Sequence, residues 1–312
     1  MKVLVALGGN AILTEEAQGT VKEQLAAVEL TCSVLARLIE AGHDLAITHG
    51  NGPQVGDILL ANEIAKSAIP PMPLDVCGAE SQGMIGYMLQ RSLQNKLLQI
   101  GLRKQVVTIL TQTIVDHDGA AFANPTKPIG PYYRAEEANR LRAEKGWNIA
   151  LQKNGEFRRV VPSPKPLEIV ESQVIRALFE NGTVVISTGG GGIPVVRDSA
   201  TGNLVGVEGV IDKDLAAAVL ATLLGADTLL VLTDVENVYL DYGTSGQRRL
   251  SRLTMQEARR YLEEGQFPAG SMGPKVEAAL RFLESGGSRT IVTSIQNAEA
   301  ALKGAAGTLI TE

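Results

Sequence analysis

The sequence predicts an α/β protein: an open, mostly parallel central sheet with helices on both faces, a three-layer αβα sandwich, plus a small protruding subdomain. Three observations carry that reading. Strand-like and helix-like segments alternate along almost the whole chain, the pattern of parallel strands joined by crossover helices. Four apolar strand candidates stop at loops suited to an anionic ligand: residues 3–7 at Gly8-Gly9-Asn10, 45–48 at His49-Gly50-Asn51-Gly52, 184–188 at Gly189-Gly190-Gly191-Gly192, and 229–232 at Thr233-Asp234. One stretch, about 116–166, breaks the alternation. In open α/β sheets ligands lie beyond the carboxyl ends of the strands. Glycine there lets the main chain approach a ligand, and N–H groups beside helix starts suit phosphate oxygens.

The elements follow in order. After the first strand, Thr20 and Glu23 have capping-box spacing. Val21, Leu25, Val28, Cys32, Leu35 and Ile39 then form one apolar face of a helix that Gly42 is placed to stop. Further helices are expected over 54–66, 80–99, 171–180, 215–224, 255–263 and 274–284, and further strands over 106–110 and 290–293. The odd stretch holds Asn124-Pro125-Thr126-Lys127-Pro128-Ile129-Gly130-Pro131, a charged helical piece at 136–145, a strand-like 157–161, and Pro162-Ser163-Pro164-Lys165-Pro166. It reads either as a subdomain standing off the sheet, serving as a lid, or as a long connection. Residues 1–312 make one domain, with an N-terminal lobe over 1–170 and a C-terminal lobe over 171–312.

Composition narrows the class. Apolar residues make up 45 % of the 312 and charged residues 20 %, ordinary for a globular chain. A net charge of −5 with no basic tract disfavours nucleic acid as a partner. The first residues already read as a strand rather than a signal peptide, and no run is long enough to span a membrane, so a cytoplasmic location is expected. Cys32 and Cys77 are the only cysteines and lack metal-ligand or disulfide spacing; Cys32 reads as a buried packing thiol. No protein-held metal site is expected, and any Mg²⁺ should arrive with a nucleotide, held by its phosphates and water.

The chain has no Gly-x-x-x-x-Gly-Lys-Ser/Thr loop, and its first strand lacks the Gly-x-Gly-x-x-Gly of dinucleotide enzymes. Lysines carry the remaining signal. Lys127 sits between Thr126 and Pro128, Lys213 between Asp212 and Asp214 at a helix start, and Lys275 just after Gly273-Pro274 at another. A lysine is by default a solvated surface charge, yet these contexts suit a compact cation aimed at phosphate oxygens. Phosphoryl transfer requires alignment and positive charge more than covalent help. Asp214 fits a helix-start carboxylate stabilised by the helix dipole, and equally an orienter of lysine ammonium groups. His49 fits a general base or a hydrogen-bonded structural residue. His43 and His117 carry no readable signal.

Taken together, these motifs resemble carbamate kinases of the amino-acid kinase family, essentially from end to end. The matching segments begin with Ala6-Leu7-Gly8-Gly9-Asn10-Ala11 and His49-Gly50-Asn51-Gly52-Pro53-Gln54-Val55-Gly56. They continue through Glu80-Ser81-Gln82-Gly83-Met84-Ile85-Gly86-Tyr87, Pro125-Thr126-Lys127-Pro128-Ile129-Gly130 and Gly189-Gly190-Gly191-Gly192-Ile193-Pro194-Val195. Val210-Ile211-Asp212-Lys213-Asp214 and Met272-Gly273-Pro274-Lys275 complete the set. Ala-Leu-Gly-Gly also lacks the lysine that acetylglutamate kinases place before that glycine pair. The segments Thr233 to Tyr239 and Phe267 to Ser271 are family-like rather than standard.

The resemblance implies the amino-acid kinase fold and reversible phosphoryl transfer between ATP/ADP and carbamate/carbamoyl phosphate with Mg²⁺, as an ATP:carbamate phosphotransferase. It implies use in a degradative pathway such as that of arginine or purines. By matching position, Gly8, Gly9, Asn10, Gly50, Asn51 and Gly52 would hold the carbamoyl or transferring phosphoryl group. Lys127, Lys213 and Lys275 would be catalytic, with Asp214 organising the lysines. Gly190, Gly191, Lys213, Thr233, Asp234, Tyr239, Met272, Gly273 and Lys275 would contact nucleotide. A homodimer is implied, with close packing around Gly83 and Gly86. The alternatives are a paralogue acting on another small carboxylate and a non-catalytic protein that binds carbamoyl phosphate or nucleotide.

Overall fold

The computed structural model describes residues 1–13, 17–116, 119–152, 154–268 and 270–312, with the backbone but not the side chain of Asn10. His117 and Ala269 therefore lie outside the described residues, as does the Asn10 side chain expected to touch substrate.

Eight strands form the main sheet: β1 (Lys2–Leu7), β2 (Asp44–His49), β3 (Val106–Thr108), β4 (Val184–Ile186), β5 (Thr228–Thr233), β6 (Arg252–Thr254), β7 (Arg289–Ser294) and β8 (Thr308–Thr311). Their order is β6-β8-β7-β5-β1-β2-β4-β3. Only the β7–β8 pair is antiparallel; β1, for instance, runs parallel to β2 and to β5.

Because side chains alternate across a strand, β1 feeds two cores. Leu4 and Ala6 join one, with Leu229 and Val231, against helices Ser172–Glu180, Lys213–Leu223 and Met272–Glu284. Val3, Val5 and Leu7 join the other, against helices Val21–Glu40 and Leu74–Gln99. Burial on both faces explains why these strands are unbroken apolar runs. The first helix starts as its sequence requires: Thr20 and Glu23 form the capping box, and Gly42 follows the end at φ 85°. Cys32 is fully buried in its apolar face, and burial pushes its thiol up to about 12.

Several boundaries differ from expectation. The helix expected from residue 80 begins at Leu74, directly after Pro73, which ends a Pro-rich turn and has the extended backbone of a cap. The strand expected over 184–188 ends at Ile186, because Thr188 turns into the left-handed region at φ 50° and leads the glycine loop away. Gly86 is not free for a partner chain. A Cβ there would lie 2.2 Å from Thr108 Cγ2, so its small size lets Leu74–Gln99 pack on β3 within the same chain.

The 116–166 stretch contains a small antiparallel sheet, Lys127–Tyr133 paired with Phe157–Val161 and that with Ile149–Leu151, covered by helix Ala135–Lys145. It has its own apolar cluster of Tyr133, Ala138, Leu141 and Ile149. It touches helix Gly52–Ala65 so closely that a Cβ on Gly56 would lie 2.5 Å from the Gly130 backbone. A further four-stranded sheet, in the order Leu204–Gly206, Ile193–Arg197, Gln112–Val115 and Pro166–Ile169, flanks that stretch.

Candidate functional site

The carboxyl ends of β1 and β5 open into a cavity of about 770 Å³, a size suited to a small-molecule ligand. Its wall includes Gly8, Gly9, Lys213, Thr233, Asp234, Tyr239, Met272 and Lys275, drawn from positions 8 to 275 of the chain. The structure thus brings both C-terminal lysines beside the first glycine turn.

Asp214 organises this end. Asp212 caps the helix Lys213–Leu223, so Lys213 and Asp214 occupy its first turn. Lys213 Nζ donates to Asp214 Oδ1 at 2.5 Å and Lys275 Nζ to Asp214 Oδ2 at 3.1 Å. Lys275 also reaches the Ser271 carbonyl at 3.3 Å. Asp214 is only 3 % exposed. Burial favours its neutral form, but the two ammonium charges outweigh burial and hold the carboxyl below the usual carboxylate range. Burial, helped by the neighbouring Lys275 charge, lowers Lys213 despite Asp214. Lys275 is pushed down by burial yet ends raised, because Asp214 dominates. Of the two readings of Asp214, the geometry matches the orienter.

The glycines work mainly by permitting approach. Gly8 N–H already donates to Leu232 O at 2.9 Å and Gly50 N–H to Leu7 O at 3.1 Å, so neither amide is aimed at an anion. A Cβ on Gly8 would fall 2.8 Å from Leu232 O; one on Gly50 would sit 3.4 Å from Lys213 Cδ, whose stem crosses that turn. Gly9 is exposed on the cavity wall. Gly52 opens helix Gly52–Ala65, with Asn51 as its cap residue.

Of the expected site residues, Gly50, Asn51, Gly52, Lys127, Gly190, Gly191 and Gly273 do not line the cavity. Gly190 and Gly191 are buried: a Cβ on Gly190, at φ 65°, would lie 2.2 Å from Asn51 Nδ2, and one on Gly191, at φ 94°, 2.8 Å from Ile211 Cβ. Asn51 Nδ2 donates to Ser81 Oγ at 2.8 Å. Gly273 N–H donates to Pro268 O at 2.9 Å, so this residue shapes the loop before its helix rather than offering a donor.

His49 lies beneath the same turn, fully buried, with Nδ1–H donating to the Gly50 carbonyl at 2.9 Å. Burial pulls its pKa down to about 4, against the hydrogen bond to Gly50 and with a contribution from the Lys213 charge. A neutral ring locked against Gly189 supports the structural reading over a general base.

Lys127, at the start of the subdomain's first strand, donates to Asp212 Oδ2 at 2.8 Å. With Asp212 included, three ammonium groups face two carboxylates, one positive charge in excess within a chain of net charge −5.

The rest of the cavity lining is largely apolar and aromatic: Leu232 against the Gly8 turn, then Val235, Tyr239, Tyr242, Phe267, Pro268 and Ile295, with Gln296. Sequence reasoning missed Tyr242, Ile295 and Gln296, and it missed Arg158 of the subdomain, whose guanidinium stacks 5.0 Å from the Tyr132 ring centre. Asp212 was visible only as a flank of Lys213; its place before a helix start was the available signal.

Residues 1–294 match the sequence model of the amino acid kinase family. The chain belongs to that family. Its relatives are similar over their full lengths. Carbamate kinase of Pyrococcus horikoshii is 48 % identical over 312 residues, covering 99 % of both chains. That of Halobacterium salinarum is 50 % identical over 311 residues, covering 98 % of this chain and 97 % of its own. Among solved structures, the carbamate kinase from Giardia lamblia bound to AMP-PNP superimposes with a TM-score of 0.92. It is 43 % identical and covers 99 % of this chain and 98 % of the other. The amino-acid kinase fold and membership of this kinase family are thereby established for the chain.

Among the described residues, no three His, Cys, Asp or Glu side chains cluster to hold a metal. None of the helices among them is long and apolar enough to cross a membrane.

Proposed function

We propose that this chain is a carbamate kinase, transferring a phosphoryl group reversibly between ATP and carbamate and working chiefly to form ATP from ADP and carbamoyl phosphate. The observation that carries the reading is the buried Lys213–Asp214–Lys275 clasp, set in one cavity between the Gly8-Gly9 turn and an aromatic end. The nucleoside would lie against Tyr239, Tyr242 and Phe267, with its phosphates pointing to Lys213 and Lys275. The N-terminal lobe would hold the carbamoyl group at Gly8, Gly9, Gly50 and Asn51, with Lys127 reaching in from the subdomain.

Lys213 and Lys275 then face the oxygens onto which charge spreads as the phosphoryl group moves. The attacking carbamate oxygen is already anionic, so transfer requires no general base, consistent with a neutral, walled-in His49. Carbamate reverts to CO₂ and ammonia, and the overhanging subdomain would exclude water while the substrates align. Mg²⁺ fits as a passenger of the nucleotide. Both Asp214 oxygens are taken by lysines, which leaves the cavity-lining Asp234 to hold the ion's water shell. The ion would neutralise charge on the phosphates. A cytoplasmic homodimer completes the reading, docked through the exposed face of helix Leu74–Gln99 around Tyr87 and Leu110; light scattering in solution checks its mass.

The test incubates purified protein with Mg-ADP and carbamoyl phosphate, then with Mg-ATP and a panel of small carboxylates. ATP formation from carbamoyl phosphate is the expected result. Turnover restricted to another carboxylate, or binding without turnover, would overturn it.

A further inference from the structure

The subdomain and the lysine–aspartate end of the cavity meet through one side chain to which the catalytic scheme above gives no part. Asp212 Oδ1 accepts the N–H groups of Asp214 at 2.9 Å and Leu215 at 3.4 Å, capping the helix that presents Lys213 and Asp214. Its other oxygen, Oδ2, accepts Lys127 Nζ at 2.8 Å across 85 positions of sequence. The capping bonds fix the plane of the carboxylate to the helix backbone, so the second oxygen points where the helix dictates rather than following the lysine.

We propose that Asp212 is a positioning residue that docks the subdomain onto the start of the helix carrying Lys213 and Asp214, holding Lys127 there before substrate arrives. This rests on the carbamate kinase reading. A lysine side chain loses substantial rotamer freedom when it is fixed in one place. Fixing Lys127 in the empty enzyme removes that loss from the binding step, the usual benefit of preorganisation. The pair is only partly buried, with Lys127 33 % and Asp212 14 % exposed at their side chains, so an incoming anion can reach the ammonium. The same strand is held independently at Gly130, against Gly56. Packing at Gly130 and the Lys127–Asp212 charge pair therefore hold this strand at two points, and only the second depends on charge.

Asp212→Asn separates the two tasks of this residue, because Asn caps a helix about as well as Asp but carries no charge. We expect KM for carbamoyl phosphate to rise about 10-fold, the scale of losing one charge-assisted bond that water partly screens. KM for ADP should stay within about 2-fold, and the melting temperature should be unchanged. In a Lys127→Ala background the same substitution should add less than about 2-fold, since coupled residues are not additive. A full 10-fold effect in that background, or unchanged kinetics in the single variant, overturns the proposal. Amide hydrogen exchange over Lys127–Tyr133 gives a readout independent of turnover. Faster exchange in Asp212→Asn is expected, and identical exchange rates contradict docking. Wild-type protein in the same assay distinguishes these failures from a failure of the carbamate kinase reading, which would show as no ATP formed at all.

Discussion

At one end of the cavity Lys213 and Lys275 share the two oxygens of a single buried carboxylate; at the other, Tyr239 and Tyr242 stand 5.8 Å apart at a surface hairpin. The first end rests on strand termini and helix starts tied to the core. The second is assembled from excursions: the hairpin Val238–Leu240 with Arg248–Leu250, and the loop before helix Met272–Glu284. Tyr242 is 58 % exposed, whereas Asp214 is 3 % exposed. Charge that must meet a transition state is set in a rigid, desolvated place, where it acts without reorganisation. Apolar contact with a nucleoside tolerates a looser frame. Under the proposed function, turnover would depend on the buried lysine–aspartate cluster and nucleotide affinity on the exposed aromatic part of the same cavity.

The most severe way to break that division is at the lysines. Lys213→Ala or Lys275→Ala should lower kcat by about 10²–10³-fold, the scale for removing one prearranged stabiliser. Near-normal turnover in both would end the assignment of catalysis to this end.

The foundation of the same end can be probed by pH. His49 has a folded pKa of about 4 against an ordinary 6.5. Between those values the unfolded chain binds more protons, so folding stability falls as pH falls through that window. From pH 7 to pH 5 this one residue should remove about 2 kcal/mol. Urea unfolding of wild type and His49→Asn at both pH values isolates it: the wild type should lose about 2 kcal/mol more. Equal losses would mean that the ring is not walled in.

The smallest effect belongs to the opposite end. Tyr242→Ala should raise KM for ADP about 10-fold, as expected for losing one stacking surface of ~1–1.5 kcal/mol, and leave kcat within about 3-fold. A variant that loses kcat as well would erase the distinction between the two ends.

The same contrast governs what the sequence reveals. The central strands β1, β2, β4 and β5 are legible because burial on both faces leaves unbroken apolar runs. β6 and the strands of the second sheet are three to five residues long, too short for any period to show. Lys213 and Asp214 are legible because a helix start fixes where adjacent residues point. Arg158, Tyr242 and Gln296 are not, since each joins the site only where separate excursions converge. The Gly83–Gly86 spacing announces close approach but not to whom; Gly86 turns out to admit Thr108 of its own chain. Gly190 is a similar case: its missing side chain leaves room for the Asn51 amide, 2.2 Å from where a Cβ would sit.

The central claim is that both substrates occupy this cavity together and the phosphoryl group crosses once, with no side chain carrying it between them. The most direct measurement is the configuration at phosphorus after transfer from ATP bearing an isotopically chiral γ-thiophosphate. Direct passage past Lys213 and Lys275 predicts inversion. Retention would require a phosphorylated side chain in between and would contradict the account.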